Sequence, residues 1–461
     1  MNILLATDSY KYSHAKQYPL NAEFISSYIE ARGSDDPDFN FSLFAGIQGY
    51  INTYLMKPFT QEDLDEAFAV TTAHGTPFNY DGFKYILDEY DGYLPVEITA
   101  LPEGSIVPLS VPLVQVRNTD PKVPWLTSFI ETSLLRAIWY PTTVATNSMI
   151  IRNELKAFAE KSMMEPNVDF KLHDFGARGV SSAESAAIGG AAHLMTGAMG
   201  TDTVESLMYL RRNYGADMAG FSIPAAEHST ITTWGKENEA AAYKNNIAQF
   251  DGKGKIFAVV SDSYDIDNAI DNIWGGDLYN DIMHMQGTIV IRPDSGDPLT
   301  EPVRIVEKLM AKFPTAWNEK GYRVLTPQVR VIQGDGITKD SIKQILKNLD
   351  EAKISLDNIA FGMGGGMLQL VNRDTLKFAM KANSITRDGE TYDVFKQPAT
   401  DTSKGSKAGM QAVVIDGGEH KSVPAGPVNM VNRYGYLETV YKDGQAFGFT
   451  TLDEIRERAN A

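Results

Sequence analysis

The chain has 461 residues, 43% hydrophobic and 22% charged, with a formal net charge of −17 and no cysteine. This is the composition of a folded globular protein with a sizeable core, long enough for roughly three average domains, or fewer if one is an α/β barrel of about 250 residues. It excludes disulfides, thiolate metal sites and a cysteine nucleophile, lacks the basic footprint of a nucleic-acid binder, and holds no apolar run near the ~18 residues of a membrane span. An acidic balance still leaves anionic small molecules open, because a local cluster of Arg and Lys can focus positive potential in a cleft. The first residues, Met1 to Tyr10, carry no basic segment followed by a full apolar stretch, so no signal peptide is read. With the lack of cysteine, this fits a cytoplasmic protein.

Residues 1–165 read as a mixed α/β region. Strands are expected at Glu23 to Glu30 and Val96 to Leu101, and helices at Gln61 to Ala73 and Leu126 to Ile138. Pro141 is expected to break the chain before another helix that begins near Thr146 and runs past Leu155. The rhythm then changes over 166–384. Apolar runs recur at Phe170 to Leu172, Gly197 to Met199, Gly220 to Ile223, Ile256 to Val260, Thr288 to Ile291, Val329 to Ile332, Ile359 to Phe361 and Lys377 to Met380. Amphipathic stretches such as Pro302 to Lys312 and Lys339 to Leu349 separate several of them. Strands alternating with helices imply βα units and a parallel sheet, either a (β/α)8-like barrel or an open doubly wound sheet. Residues 385–461 are polar and turn-rich, and are expected to complete the first domain; Ser403 to Gly409 reads as a mobile loop.

Most of the apolar runs end in polar or Gly-rich residues, and a parallel barrel collects its chemistry on the rim formed by those ends. His173 to Gly179 contains Phe175 and Arg178, an aromatic face beside a cation, which suits a flat heteroaromatic ring near a phosphate; a core Phe is the alternative. Asp202 follows the second run, where a carboxylate would accept a hydrogen bond from an amide NH₂ and repel a carboxylate. Glu227 and His228 close the third run. A His there is a general base, a phosphoryl-accepting nucleophile or a structural residue. Asp262 ends the next run and could orient that imidazole. Arg292 and Asp294 pair a phosphate-binding fork with a carboxylate suited to a ribose hydroxyl or Mg²⁺, or else form a local salt bridge. Gly334-Asp335-Gly336 and Gly364-Gly365-Gly366 offer bare backbone N–H groups to phosphate, and the start of the helix from Lys339 is a further anion site. The Walker-type loop, the His-Glu-x-x-His zinc motif and the Gly-x-Gly-x-x-Gly dinucleotide pattern are all absent.

The order of these segments resembles the nicotinamide phosphoribosyltransferase family of type II phosphoribosyltransferases over nearly the whole chain. The resemblance runs from Leu4 to Lys11 through Trp139-Tyr140-Pro141, Val144 to Ser148, His173 to Gly176 and Gly200 to Thr203. It continues through Pro224 to Thr230, Ser261 to Asp265, Ile291 to Gly296, Gln333 to Gly336 and Gly364 to Gly366. It implies a pentosyltransferase that makes nicotinamide mononucleotide and pyrophosphate from nicotinamide and phosphoribosyl pyrophosphate, with Mg²⁺, in NAD salvage. ATP hydrolysis would be coupled through a phosphohistidine at His228, with Asp262 and Glu227 nearby. The resemblance also implies that Phe175 stacks on the ring, that Tyr10 of a second subunit closes the other face, and that Asp202 binds the carboxamide. Asp294 would take the ribose hydroxyls, and Gly334, Asp335, Gly364 and Gly365 the phosphoribosyl group. Arg178, Arg292, Arg32, Arg373, Lys381 and Lys396 would face phosphates, several of them across the interface of an obligate homodimer.

The chain departs from the family pattern at Ala177, Ala258, Met363 and Ala379, none of which removes a proposed catalytic group. Rival readings are a nicotinate phosphoribosyltransferase, a non-catalytic binding or signalling protein on the same scaffold, and a phosphosugar barrel enzyme using Lys381 as a Schiff base. Asp202 opposes the first, and the joint presence of His228, Asp262, Arg292, Asp294 and Asp335 opposes the second.

Overall fold

The computed structural model describes residues 2–399, 405–425 and 436–461. Ser403 and Lys404 of the expected mobile loop lie outside the described residues. The chain divides into two compact units: 147–208 with 217–370, and 1–146 with 209–216 and 371–461. The boundaries therefore fall at 146/147 and 370/371, where the sequence placed them at 165/166 and 384/385.

The first of these units holds the parallel sheet. Its strands are β1 (Leu172–Asp174), β2 (Gly200–Thr201), β3 (Ile256–Val260), β4 (Thr288–Arg292), β5 (Val329–Gln333) and β6 (Ile359–Met363). They pair in the order β2-β1-β6-β5-β4-β3, every pair parallel. The run Gly220 to Ile223 forms no regular strand. Instead Phe221 bridges to Gly200 and Ala225 to Ala258, so this segment joins the two edge strands and curls the sheet into a barrel. The expected eighth run is a correction: Ala379–Arg387 is a strand of the other unit, antiparallel to Ala22–Glu30. Strands such as Ile-Phe-Ala-Val-Val at 256–260 are continuous apolar runs because both faces are covered. Ala258, Val290 and Ile332 form a buried cluster that Phe175, Ile223 and Ala360 pack against. At the opposite end of the strands, Lys171 Nζ donates to the carbonyls of Leu356 and Ile359 at 2.7 and 3.2 Å. Burial there lowers its pKa to about 8.

The other unit is built on a seven-stranded antiparallel sheet centred on Ala22–Glu30, Pro112–Asn118 and Val96–Ala100. Its turn-rich tail contains hairpins that the sequence reading did not resolve. Residues 379–387 and 390–393 turn through Asp388 and Gly389, and 438–442 and 445–446 through Asp443 and Gly444, both residues of each turn having positive φ. That is the turn geometry that matches strand twist, and Asp-Gly favours it. Pro141 does not break the chain: Glu131–Ser162 is one helix with the proline inside. A proline leaves the carbonyl four residues earlier without its helical donor. Here the backbone at Ala45 and Gly46 packs against that turn, with Ala45 N–H donating to Thr142 Oγ1 at 3.2 Å and Leu43 N–H to Thr146 Oγ1 at 2.9 Å. At Gly46, with φ of +110°, a Cβ would collide with the Ala137 carbonyl and the Pro141 ring.

Candidate active site

Because the barrel strands are parallel, everything that follows a strand emerges on one rim. That rim carries Phe175, Arg178, Asp202, Glu227, His228, Asp262, Arg292, Asp294, Gly334, Asp335, Gly364 and Gly365. Tyr10, Arg32, Arg373, Lys381 and Lys396 belong to the other unit.

Asp174 and Thr201 are register partners, so the next residues, Phe175 and Asp202, leave the sheet side by side. Phe175 is held by its N–H to the Met363 carbonyl at 3.0 Å. Its ring packs close against the backbone of β6, where a Cβ at Gly362 would overlap three of its ring carbons. Asp202 Oδ1 accepts the Ser222 hydroxyl at 2.5 Å. Arg178 sits exposed on the turn Ala177–Gly179 that follows Phe175.

His228 opens a short helix, His228–Thr232, directly after the bridging segment. Its Nε2 lies 3.3 Å from Asp294 Oδ2 and 3.9 Å from Asp262 Oδ1, and its Nδ1 lies 3.1 Å from Ser263 Oγ. The direct carboxylate partner is therefore Asp294, where the sequence pointed to Asp262. The reason is that Asp262 Oδ2 is taken by the Asp294 N–H at 3.0 Å and the Ser295 hydroxyl at 2.5 Å, so Asp262 shapes the loop that aims Asp294. The Asp262 side chain is 4% exposed, and its Oδ1 has no hydrogen-bond partner. Glu227 does not reach the imidazole; its carboxylate takes the Ser229 hydroxyl. Ser263 was the missed partner, although it lies inside the Ser261 to Asp265 motif. The local salt bridge proposed for Arg292 and Asp294 is not formed, and Arg292 Nε is buried without a hydrogen-bond partner. Asp262 Oδ1, Arg292 Nε and, at the end of β5, Gln333 Oε1 are thus buried polar atoms on this rim without a hydrogen-bond partner.

Gly334 and Asp335 follow β5, and Gly364 and Gly365 follow β6. A Cβ on Gly365 would meet nothing, so its backbone is open to a close approach. The helix Lys339–Glu351 is a weaker anion site than expected, since Thr338 and Ser341 form a capping box on its first turn. Among the described residues no cluster of three or more His, Asp or Glu forms a metal site.

In the other unit, Lys381 shares its surroundings with Arg32, Lys396 and Arg373. Burial lowers its pKa first, and these like charges lower it further against Glu131. Lys381 lies on an antiparallel strand rather than a barrel strand end, which removes the Schiff-base reading. Tyr10 is 56% exposed.

The fold agrees with what the chain is similar to. A family model described as the nicotinate phosphoribosyltransferase (NAPRTase) family matches residues 170–445, and one described as the nicotinamide phosphoribosyltransferase N-terminal domain matches residues 2–98. A nicotinamide phosphoribosyltransferase of Xanthomonas campestris pv. campestris is 45% identical, covering 100% of this chain and 98% of its own length. One from Acinetobacter baylyi is 32% identical, over 99% and 97%. A solved nicotinate-nucleotide pyrophosphorylase from Pyrococcus furiosus shares the fold at TM-score 0.61 and 17% identity, over 100% of this chain and 95% of that one. Among the described residues no helix is long and apolar enough to cross a membrane. The chain belongs to the nicotinate phosphoribosyltransferase family and is a phosphoribosyl-transferring enzyme, a pentosyltransferase.

Proposed function

We propose that this enzyme transfers the phosphoribosyl group to nicotinamide, giving nicotinamide mononucleotide for NAD salvage. The observation that carries the choice of substrate is the side-by-side exit of Phe175 and Asp202 from paired strands. A ring lying on Phe175 would present its substituent to Asp202. A carboxamide NH₂ donates to that carboxylate, whereas the carboxylate of nicotinate is repelled and leaves both groups unsatisfied. Tyr10 of a second copy of the chain would cover the other face of the ring, in a homodimer with shared sites. Arg32, Arg373, Lys381 and Lys396 would meet phosphates of that shared site.

Loss of pyrophosphate leaves a cationic ribose and a strongly anionic leaving group. Holding the pyridine nitrogen in line is the task of Phe175 and Asp202. Arg292 and Arg178 would stabilise the departing charge, and the backbone N–H groups at Gly334, Asp335, Gly364 and Gly365 the phosphoribosyl phosphate. Asp294 would bind the ribose hydroxyls. The all-oxygen pair of Asp262, with its unpartnered buried Oδ1, and Asp294 fits Mg²⁺, which takes one or two carboxylates alongside substrate phosphates. When bound, the ion supplies charge neutralisation to the diphosphate.

His228 is proposed to accept a phosphoryl group from ATP. Its imidazole is 45% exposed, and it is oriented at both nitrogens by Asp294 and Ser263. The Asp294 carboxylate favours N–H at Nε2 and so places the nucleophilic lone pair on Nδ1, where the Ser263 hydroxyl holds the ring in place and would turn aside for attack. Phosphorylation would place new negative charge beside Asp294 and Asp262 and so couple ATP to substrate binding. The test is to supply phosphoribosyl pyrophosphate, Mg²⁺ and nicotinamide, with and without ATP, and to quantify the mononucleotide. Nicotinamide mononucleotide that rises with ATP supports the reading, and no product refutes it.

A further inference from the structure

Asp174 is fully buried at the end of β1, directly beneath the two residues proposed to hold the pyridine, and the mechanism above gives it no task. A buried carboxylate is costly unless its lone pairs are engaged. Here Oδ1 accepts the Gly176 N–H at 2.8 Å, and Oδ2 accepts the Thr201 hydroxyl at 3.3 Å. Its main-chain carbonyl accepts the Asp202 N–H at 2.9 Å. The bonds therefore reach the residue after Phe175, the residue before Asp202, and Asp202 itself. The helix Ala183–Met195 passes close on the remaining side: a Cβ on Gly190 would lie 2.9 Å from Oδ2. Burial pushes the Asp174 carboxyl up from the usual range, and the nearby Asp202 charge adds to the push.

We propose that Asp174 is the positioning residue of the pyridine site: one buried carboxylate fixes the turn that carries Phe175 and the loop that carries Asp202 in a single register. The inference rests on the nicotinamide reading. A ring sandwiched by one group and hydrogen-bonded by another tolerates only small relative displacement of the two, so their common anchor should act on ring binding rather than on the phosphoribosyl end.

The experiment is steady-state kinetics on Asp174→Asn and Thr201→Val with both substrates varied. Asn keeps the shape but sets an NH₂ against one of the two donors. In Asp174→Asn, KM for nicotinamide should rise about tenfold while KM for phosphoribosyl pyrophosphate stays within about twofold. Thr201→Val removes the weaker donor, together with the acceptor of the Thr203 N–H, and should shift the same constant by about twofold to threefold. A merely structural role would lower melting temperature and kcat without separating the two KM values. Equal KM shifts in Asp174→Asn, or an unchanged KM for nicotinamide, would overturn the inference. If Asp174→Asn does not fold, an unchanged nicotinamide KM in Thr201→Val decides against it. Wild-type enzyme that makes no nicotinamide mononucleotide would overturn the underlying reading and this inference with it. Wild-type turnover with symmetric KM shifts in the variants would overturn this inference alone.

Discussion

Gly362→Ala places the sharpest steric demand on the ring platform. A Cβ built on Gly362 would stand 2.9 Å from Phe175 Cζ and closer still to Cε2 and Cδ2. Carbon atoms rest about 3.5–4.0 Å apart, so the ring would have to retreat by more than about 1 Å. Gly362 has no positive φ, so the backbone itself accepts alanine and the whole effect is the collision. Overpacking of this kind costs about 1–3 kcal/mol. Borne by the ring site, that is a rise of about fivefold to hundredfold in KM for nicotinamide. Gly334→Ala is the internal control, since its Cβ would meet the same ring at 3.6 Å, an ordinary contact. Kinetics and thermal melts of both variants decide the matter. A Gly362→Ala enzyme with wild-type KM for nicotinamide, or a Gly334→Ala enzyme whose KM for nicotinamide rises equally while its KM for phosphoribosyl pyrophosphate does not, would refute the placement of Phe175 as the platform.

Three further outcomes are expected. His228→Ala should lose ATP stimulation and any acid-labile phosphoenzyme while ATP-independent transfer persists, as read by product formation and by label from γ-labelled ATP. Ser263→Ala removes the 3.1 Å partner of His228 Nδ1 and should slow the ATP-coupled step by about threefold to tenfold, with ATP-independent turnover unchanged. Asp350, held down to about 2 by Lys161 and Tyr322, is a depressed carboxylate, so its contribution is present above the ordinary 3.8 and lost as pH falls towards 2. Asp350→Asn should therefore lower stability at neutral pH by less than about 1 kcal/mol, a partly exposed pair being screened, and the difference should vanish in melts taken towards pH 2.

The rim was legible in the sequence because strands buried on both faces write themselves as apolar runs, and the residue types at their ends declare charge or glycine. What pairs with what on that rim was not legible. Asp262 and Asp294 look equivalent as letters, and only the fold shows that Asp262 is occupied by the Asp294 N–H and Ser295 while Asp294 faces His228. Ser263 carried no signal beyond its neighbours. Lys377 to Met380 was read as a barrel strand because a short apolar run does not state its partner; its continuation to Asp388-Gly389 as a hairpin shows the antiparallel sheet. Pro141 was read as a helix end because local propensity omits tertiary packing, here Thr142 and Thr146 engaging the backbone of Leu43 and Ala45.

The most direct test of substrate choice offers nicotinamide and nicotinate together, at equal concentration, to one sample with phosphoribosyl pyrophosphate, Mg²⁺ and ATP, and measures the ratio of the two mononucleotides. An unpaired, repelled carboxylate at Asp202 should cost at least about 3 kcal/mol, so nicotinamide mononucleotide should exceed its acid counterpart by about a hundredfold or more. A ratio near one, or an excess of nicotinate mononucleotide, would contradict the role given to Asp202 and with it the nicotinamide assignment.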